Sequence, residues 1–331
     1  MRRQAAVVLT GTALLSGLLS GCAGEGNSGD PLQVAATLEP AGPAVSPERP
    51  GSPAGTVVPL GRATAVAVVG DRVAVAVAEP PSVLLYPLDA VAATAPRVVP
   101  LPGVAERLTA VGDAVEAPVP GSGVVVTVRP DGSTSRREVD GGPVDVAVVA
   151  GRTVVARRDA KLVGVDDRVV TGVSSPDRVV AAGADAVVLD RPRSAVFDVV
   201  LDGEGGPSLG AGLRAGDGAT SAVGDRFGRV LVVDTRGGEL MAFSVRPLIM
   251  RQRFPVPGAP YGMAYDGTRD LVWITLTAVN EVVAFDVAGG EPVERFRFPT
   301  VRQPDSVAVD PGSGRVFVAS GDGQGMQVIG I

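Results

Sequence analysis

Three observations predict an all-β chain. Valine-rich apolar runs recur along most of the sequence, Gly and Pro punctuate them, and one strand-and-turn unit keeps returning at a similar spacing. Apolar residues make up 45% of the 331 but aromatics only 4%, so the core must be built of Val and Ala. Val favours the pleated, half-buried surface of a strand, and 44 Gly and 28 Pro supply the breaks between strands.

Taken in order, the chain opens on Met1-Arg2-Arg3, an apolar run from Ala5 to Leu19, and small residues up to Cys22. Charge, length and small residues read as a secretory signal over 1–21. The run is too short, and too diluted by small residues, for a transmembrane span. Leu19-Ser20-Gly21-Cys22 resembles the lipobox of bacterial lipoproteins. That resemblance implies a diacylglyceryl group on the Cys22 sulfur, cleavage before it, and a lipid-anchored chain on the outer face of the cytoplasmic membrane. Two or more acyl chains suffice for stable anchoring. Residues 22–55 are rich in Gly, Pro, Ser and Ala and end in PAGPAVSPERPGSPAG without periodicity, which predicts a disordered tether.

From Thr56 the repeat takes over, filling 56–331. Its first strand reads TVVPL at Thr56, RVVPL at Arg97, SRREV at Ser135, RVVTG at Arg168, PSLG at Pro207, IMRQRF at Ile249 and VERFRF at Val293. A second strand follows each (TAVAVV, VDVAVV, DSVAVD among them), then a tight turn and a third (RVAVAVA, RVLVVDT, RVFVAS), then a polar loop and a fourth (VLLYPL, EVVAFDV, MQVIGI). The copies at Glu106 to Asp131 and Pro207 to Asp225 are the weakest. A spacing of about 33 to 44 residues is that of propeller blades. Many middle strands are apolar on both faces: Val316 and Val318 point one way, Phe317 and Ala319 the other. A sheet pressed between two neighbouring sheets needs that pattern. The prediction is a seven-bladed β-propeller, with six or eight blades as the neighbouring counts and a β-helix as the runner-up. The lone first strand TVVPL should complete the last blade and close the ring.

The segments PDSVAVDPGSGRVFVAS and PYGMAYDGTRDLVWIT resemble blades of YVTN/NHL-type propellers. The chain also resembles the mycobacterial LppL-like lipoprotein family, through the tether PAGPAVSPERPGSPAG, GRVLVVDTRGGEL, PLIMRQ, APYGMAY, and PTVRQPDSVAVD through GMQVI. These resemblances imply a propeller and an anchored envelope location, and carry over no catalytic residue.

The chain contains no histidine, which removes the usual general base and the commonest metal ligand. Cys22 is the single cysteine, so no intrachain disulfide can form. A net charge of −6 without a basic block argues against nucleic acid. No nucleophile elbow is present, and GDGQG precedes no helix that would make it a phosphate loop. Asp131-Gly132-Ser133 and Asp322-Gly323-Gln324 read as Asx turns rather than calcium loops. Trp273, within LVWIT, reads as core packing between blades.

Propellers bind ligands at the channel mouth, on the loops into the innermost strand and the loops joining the third and fourth strands. The first kind carry Arg62, Arg107, Asp145, Asp177, Arg178, Tyr261, Gln303 and Asp305. The second kind carry Arg157, Arg158, Arg191, Arg193, Arg236 and Asn280. Arg157, Arg158, Arg191, Arg193 and Arg236, with Tyr261 and Asp305, form the predicted site, since guanidinium suits bidentate grip of carboxylate or phosphate. The competing expectation is a solvated ion network with Asp159, Asp190 and Asp234. The expected function is a monomeric binding or scaffolding module for an envelope protein, peptide or anionic glycan, without a cofactor. The alternative is a calcium-dependent lactonase-like hydrolase using Asp145, Asp177, Asp305 and Asn280.

Overall fold

The computed structural model describes residues 39–48 and 51–331. Cys22, the signal segment and the first part of the tether lie outside the described residues. Seven four-stranded antiparallel sheets form the blades of a propeller. The innermost strands are Ala63–Val69, Thr109–Val111, Pro143–Val149, Pro176–Ala182, Ala219–Gly224, Pro260–Asp266 and Pro304–Val309, in blades one to seven. Each lies beside the next, and that of blade seven returns to that of blade one, which closes the ring. Among the described residues the helices are two short 3-10 turns, Leu88–Ala90 and Pro120–Ser122.

Closure occurs where the sequence places it. Thr56–Val58 is the outermost strand of blade seven, with Thr56 opposite Val328, Val57 opposite Gln327 and Val58 opposite Met326. Gly55 precedes it with φ +67°, and a Cβ there would lie 2.1 Å from the Val328 carbonyl oxygen, so only glycine fits. Gln327 is fully buried and donates its amide to the Ala54 carbonyl at 2.7 Å and the Pro299 carbonyl at 2.9 Å.

The core is a set of layers between blades, and each layer draws on both neighbours. Val316 and Val318 pack with Trp273 of blade six, while Phe317 and Ala319 pack with Val73 and Val75 of blade one. Trp273 is fully buried, with Phe296 and Phe298 stacked beside it at 5.9 and 6.3 Å. The thinnest layer lies between blades two and three, where Val125 meets Val146 and Val155. Polar links reinforce it: Thr109 Oγ1 donates to Asp145 Oδ1 at 3.1 Å, and Arg158 pairs with Glu106 at 2.8 Å. The weak copy at Pro207 is a full seven-residue outer strand, Ser208–Arg214. Outer strands carry charged faces, such as the fully exposed Thr134–Glu138, that discourage edge pairing.

Residues 39–48, read from composition as part of a disordered tether, lie on the channel face with Ala41 and Ser46 buried. The physical reason is hydrogen bonding of their main chain to four blades, described below.

Candidate functional site at the channel mouth

In six of the seven blades, every one but the second, the pairing of the innermost strand slips at its first residues: at Ala63/Ala65, Pro143/Asp145, Pro176/Arg178, Ala219/Ser221, Pro260/Met263 and Pro304/Ser306. A bulge leaves one residue out of the ladder and re-aims its side chain. Tyr261, Gly262 and Asp305 are such residues, and all three line a cavity of about 890 Å³ at the axis.

Four guanidinium groups line that cavity: Arg62, Arg107, Arg178 and Arg191. Two of the three carboxylates on its wall are paired with arginine. Glu106 is engaged by Arg158 at 2.8 Å and Asp322 by Arg302 at 2.5 Å. Burial opposes ionisation of Glu106, but hydrogen bonds and charge from Arg158, with Arg107 and Arg191 nearby, hold its carboxyl below the usual range. Asp305 goes the other way: burial, with Asp322 beside it, pushes it up to about 6 against the Gln303 hydrogen bond and Arg62. The local balance is therefore cationic in a chain whose net charge is −6.

Arg107 makes no hydrogen bond and no ion pair within 4.0 Å to another described residue. Burial and the Arg178 guanidinium lower its pKa to about 10, while Asp145 and Tyr261 pull the other way. Arg178 donates to the Ala222 carbonyl at 3.0 Å and lies 3.6 Å from Asp145, yet its Nε has no hydrogen-bond partner among the described residues. The same holds for Arg191 Nε and Ser306 Oγ, both on the cavity wall. Buried polar atoms left open in this way call for a ligand or water.

The predicted residues separate. Arg191, Tyr261 and Asp305 line the cavity. Arg158 stands behind the wall between Glu106 and Asp177, at 2.8 and 2.9 Å. Arg157 donates to the Asp140 carbonyl, Arg193 to the Gly172 carbonyl, and Arg236 to the carbonyls of Asp217 and Glu39, so these three serve loops. The expected ion network is partly present: Arg193 lies 3.5 Å from Asp190. Asp234 instead accepts the main-chain N–H groups of Asp217, Gly218 and Gly237 at 2.7 to 2.9 Å. The cations that do face the axis, Arg62, Arg107 and Arg178, come from the starts of innermost strands. The signal for them is an arginine at the entry to an innermost strand, where the sequence already places all three.

The donors of the calcium alternative are each occupied by protein. Asp145 accepts from Thr109, Val146 and Val179, Asp177 from Arg158 and Ser175, and Asp305 from Gln303. Asn280 Oδ1 accepts the Gln303 N–H, and its Nδ2 donates to the Pro47 carbonyl. Among the described residues no three His, Cys, Asp or Glu side chains are grouped to hold a metal ion.

No protein-family model and no curated protein sequence matches the chain. Its fold is similar to that of a streptogramin B lyase, at a TM-score of 0.68 and 10% identity over 84% of this chain and 96% of that one. A catalytically inactive histidine-to-alanine virginiamycin B lyase from Staphylococcus aureus, with quinupristin, matches at 0.68 and 13% over 83% and 98%. The Swd1 β-propeller domain of Myceliophteria thermophila matches at 0.68 and 12% over 85% and 100%. Identities this low carry the β-propeller fold and nothing finer.

Proposed function

We propose that this chain is a lipid-anchored extracytoplasmic binding module whose channel mouth takes an anionic ligand, a carboxylate- or phosphate-bearing component of the cell envelope. The observation that carries the binding half is the convergence of Arg62, Arg107, Arg178 and Arg191 on one cavity, with Arg107 making no hydrogen bond or close ion pair to another described residue. A guanidinium group facing a cavity is poised for charge-assisted bidentate bonds. The anchoring half rests on the lipobox-like Leu19-Ser20-Gly21-Cys22 and the resemblance to LppL-like lipoproteins. A binding role is favoured over a lyase role. One structural relative is inactive as a histidine-to-alanine variant, and this chain has no histidine to supply such a group.

Titration with inorganic phosphate, citrate and a uronic-acid oligosaccharide tests the site. At least one should bind with an affinity that falls with added salt. Arg107→Gln should weaken it about tenfold or more, the loss of a hydrogen bond between charged groups being about 1.5–3 kcal/mol. Unchanged affinity in the Arg107→Gln protein removes the reading. Cys22→Ser should move the chain from the membrane to the soluble fraction, and retention on the membrane would refute the anchor.

A further inference from the structure

Beside the arginine cavity the channel face carries a second built feature, occupied by residues 39–48. Arg236 donates to the Glu39 carbonyl at 2.8 Å, and Arg191 to the Ala41 carbonyl. The Ala44 N–H donates to Thr277 Oγ1 at 3.0 Å, and the Ala44 carbonyl accepts from Gln303 Nε2 at 3.0 Å. The Ser46 N–H donates to Gln303 Oε1 at 3.0 Å, and the Ser46 carbonyl accepts from Arg302 Nε at 3.2 Å. Asn280 Nδ2 donates to the Pro47 carbonyl at 2.9 Å. The one side chain of the segment in this set is Ser46, whose hydroxyl donates to the Thr277 carbonyl at 2.6 Å and accepts the Gln303 N–H at 3.1 Å.

Two small residues anchor the segment. Ala41 is 4% exposed and Ser46 2%, while Val45 between them is 85% exposed. The floor under Ala41 is Gly218, where a Cβ would come within 2.8 Å of the Ala41 methyl. Asn280 and Gln303, which hold the segment, have φ of +56° and +53°. Strain of that kind at non-glycine residues persists where the surroundings over-determine it, and it gathers at ligand clamps. Pro40, Pro43 and Pro47 preset φ, which lowers the entropy lost when an extended chain is ordered.

Main-chain bonds for affinity and small pockets for alternate side chains are how a groove reads an extended peptide. We propose that this face, across blades four to seven, is a recognition groove for an extended, proline-punctuated peptide with Ala and Ser five positions apart, and that residues 39–48 are its ligand held in cis. Pro43 and Val45 also border the arginine cavity, so a filled groove narrows the way to Arg107. The groove shares Arg191 with the anion site, but the segment's other hydrogen bonds go to Arg236, Thr277, Asn280, Arg302 and Gln303, so Arg107→Gln tests the anion reading without touching the groove.

The test uses the full chain with residues 39–48 replaced by Gly and Ser at equal length, and a synthetic peptide of the native 39–48 sequence. Calorimetric titration runs to about 2 mM, because a tethered ligand acts at about millimolar effective concentration and a tenfold competition by it needs an affinity in trans of about 0.1 mM or tighter. The peptide should bind the replaced chain saturably, and the native chain at least tenfold more weakly. A peptide carrying Ser46→Val should also bind at least tenfold more weakly. No saturable binding to a replaced chain that melts like the native one overturns the proposal. So does equal binding to native and replaced chains, or equal binding of a scrambled peptide. Should the replaced chain fail to fold, hydrogen exchange on the native chain decides. The Ala44 and Ser46 amides should exchange at least tenfold more slowly than in the free peptide and lose that protection in Gln303→Ala. Exchange at the free-peptide rate overturns it.

Discussion

Arg107 and Asp305 face one cavity, and burial acts on both by disfavouring the charged form. For Asp305 the pKa rises to about 6 from an ordinary 3.8. The folded chain therefore holds that proton where the unfolded chain has lost it, and this site costs stability as pH climbs from about 4 to about 6. Asp305→Asn removes the cost while keeping the acceptor for the Gln303 amide, 2.8 Å away. A two-unit shift corresponds to about 3 kcal/mol, and solvent in the cavity reduces the expected gain to about 1 kcal/mol. Thermal melts should show Asp305→Asn more stable than the native chain at pH 7 by about 2 °C and equal to it near pH 4. A difference that does not change with pH would sink this account. Trp273 shows how readily a residue's role can be read when its neighbours are apolar. Val272 and Ile274 flank it in sequence, and all three are fully buried.

At the scale of elements, the strands were readable because their signals are local. Asp225, Asp266 and Asp310 begin tight turns by accepting main-chain N–H groups two to four residues on, which is the chemistry that D-R-F-G, D-G-T-R and D-P-G-S announce. The bulges were not readable in the same way. Nothing in PVDVAVV or PDSVAV marks where the ladder slips, because the slip arises from the packing of one innermost strand against its neighbours around the axis. The predicted site therefore leaned on arginines of the loops between third and fourth strands. Three of those, Arg157, Arg193 and Arg236, hold neighbouring main chain instead. Arg62, Arg107 and Arg178, at the starts of the innermost strands, line the cavity.

For the molecule as a whole, a ring of blades has no free sheet to end on, so its integrity depends on one junction between chain ends. That junction is the strand Thr56–Val58 against Met326–Ile329, backed by the buried Gln327. Deleting residues 56–60 removes the strand paired with Met326–Val328 and leaves that edge exposed. A ladder hydrogen bond contributes about 0.5–1.5 kcal/mol, so losing the pairing of Thr56–Val58 costs about 2 kcal/mol or more. The melting temperature should drop by about 5 °C or more at a shift of 2–4 °C per kcal/mol. A deletion that melts with the native chain would show that the ring does not rely on this seam.

The amino-acid sequence by itself determined the blades and the phase that lets the first strand complete the last blade, while the structure fixed their number at seven. Periodicity, turn residues and two-faced apolar strands are written residue by residue and need no distant partner to be read. Only the tertiary structure decided which arginines meet at the axis, and that residues 39–48 leave the tether to lie across the mouth. Convergence around a ring joins residues far apart in the chain. A proline-rich segment without periodicity is ordered by main-chain bonds, and every residue except proline carries the same main-chain groups, so composition cannot announce it.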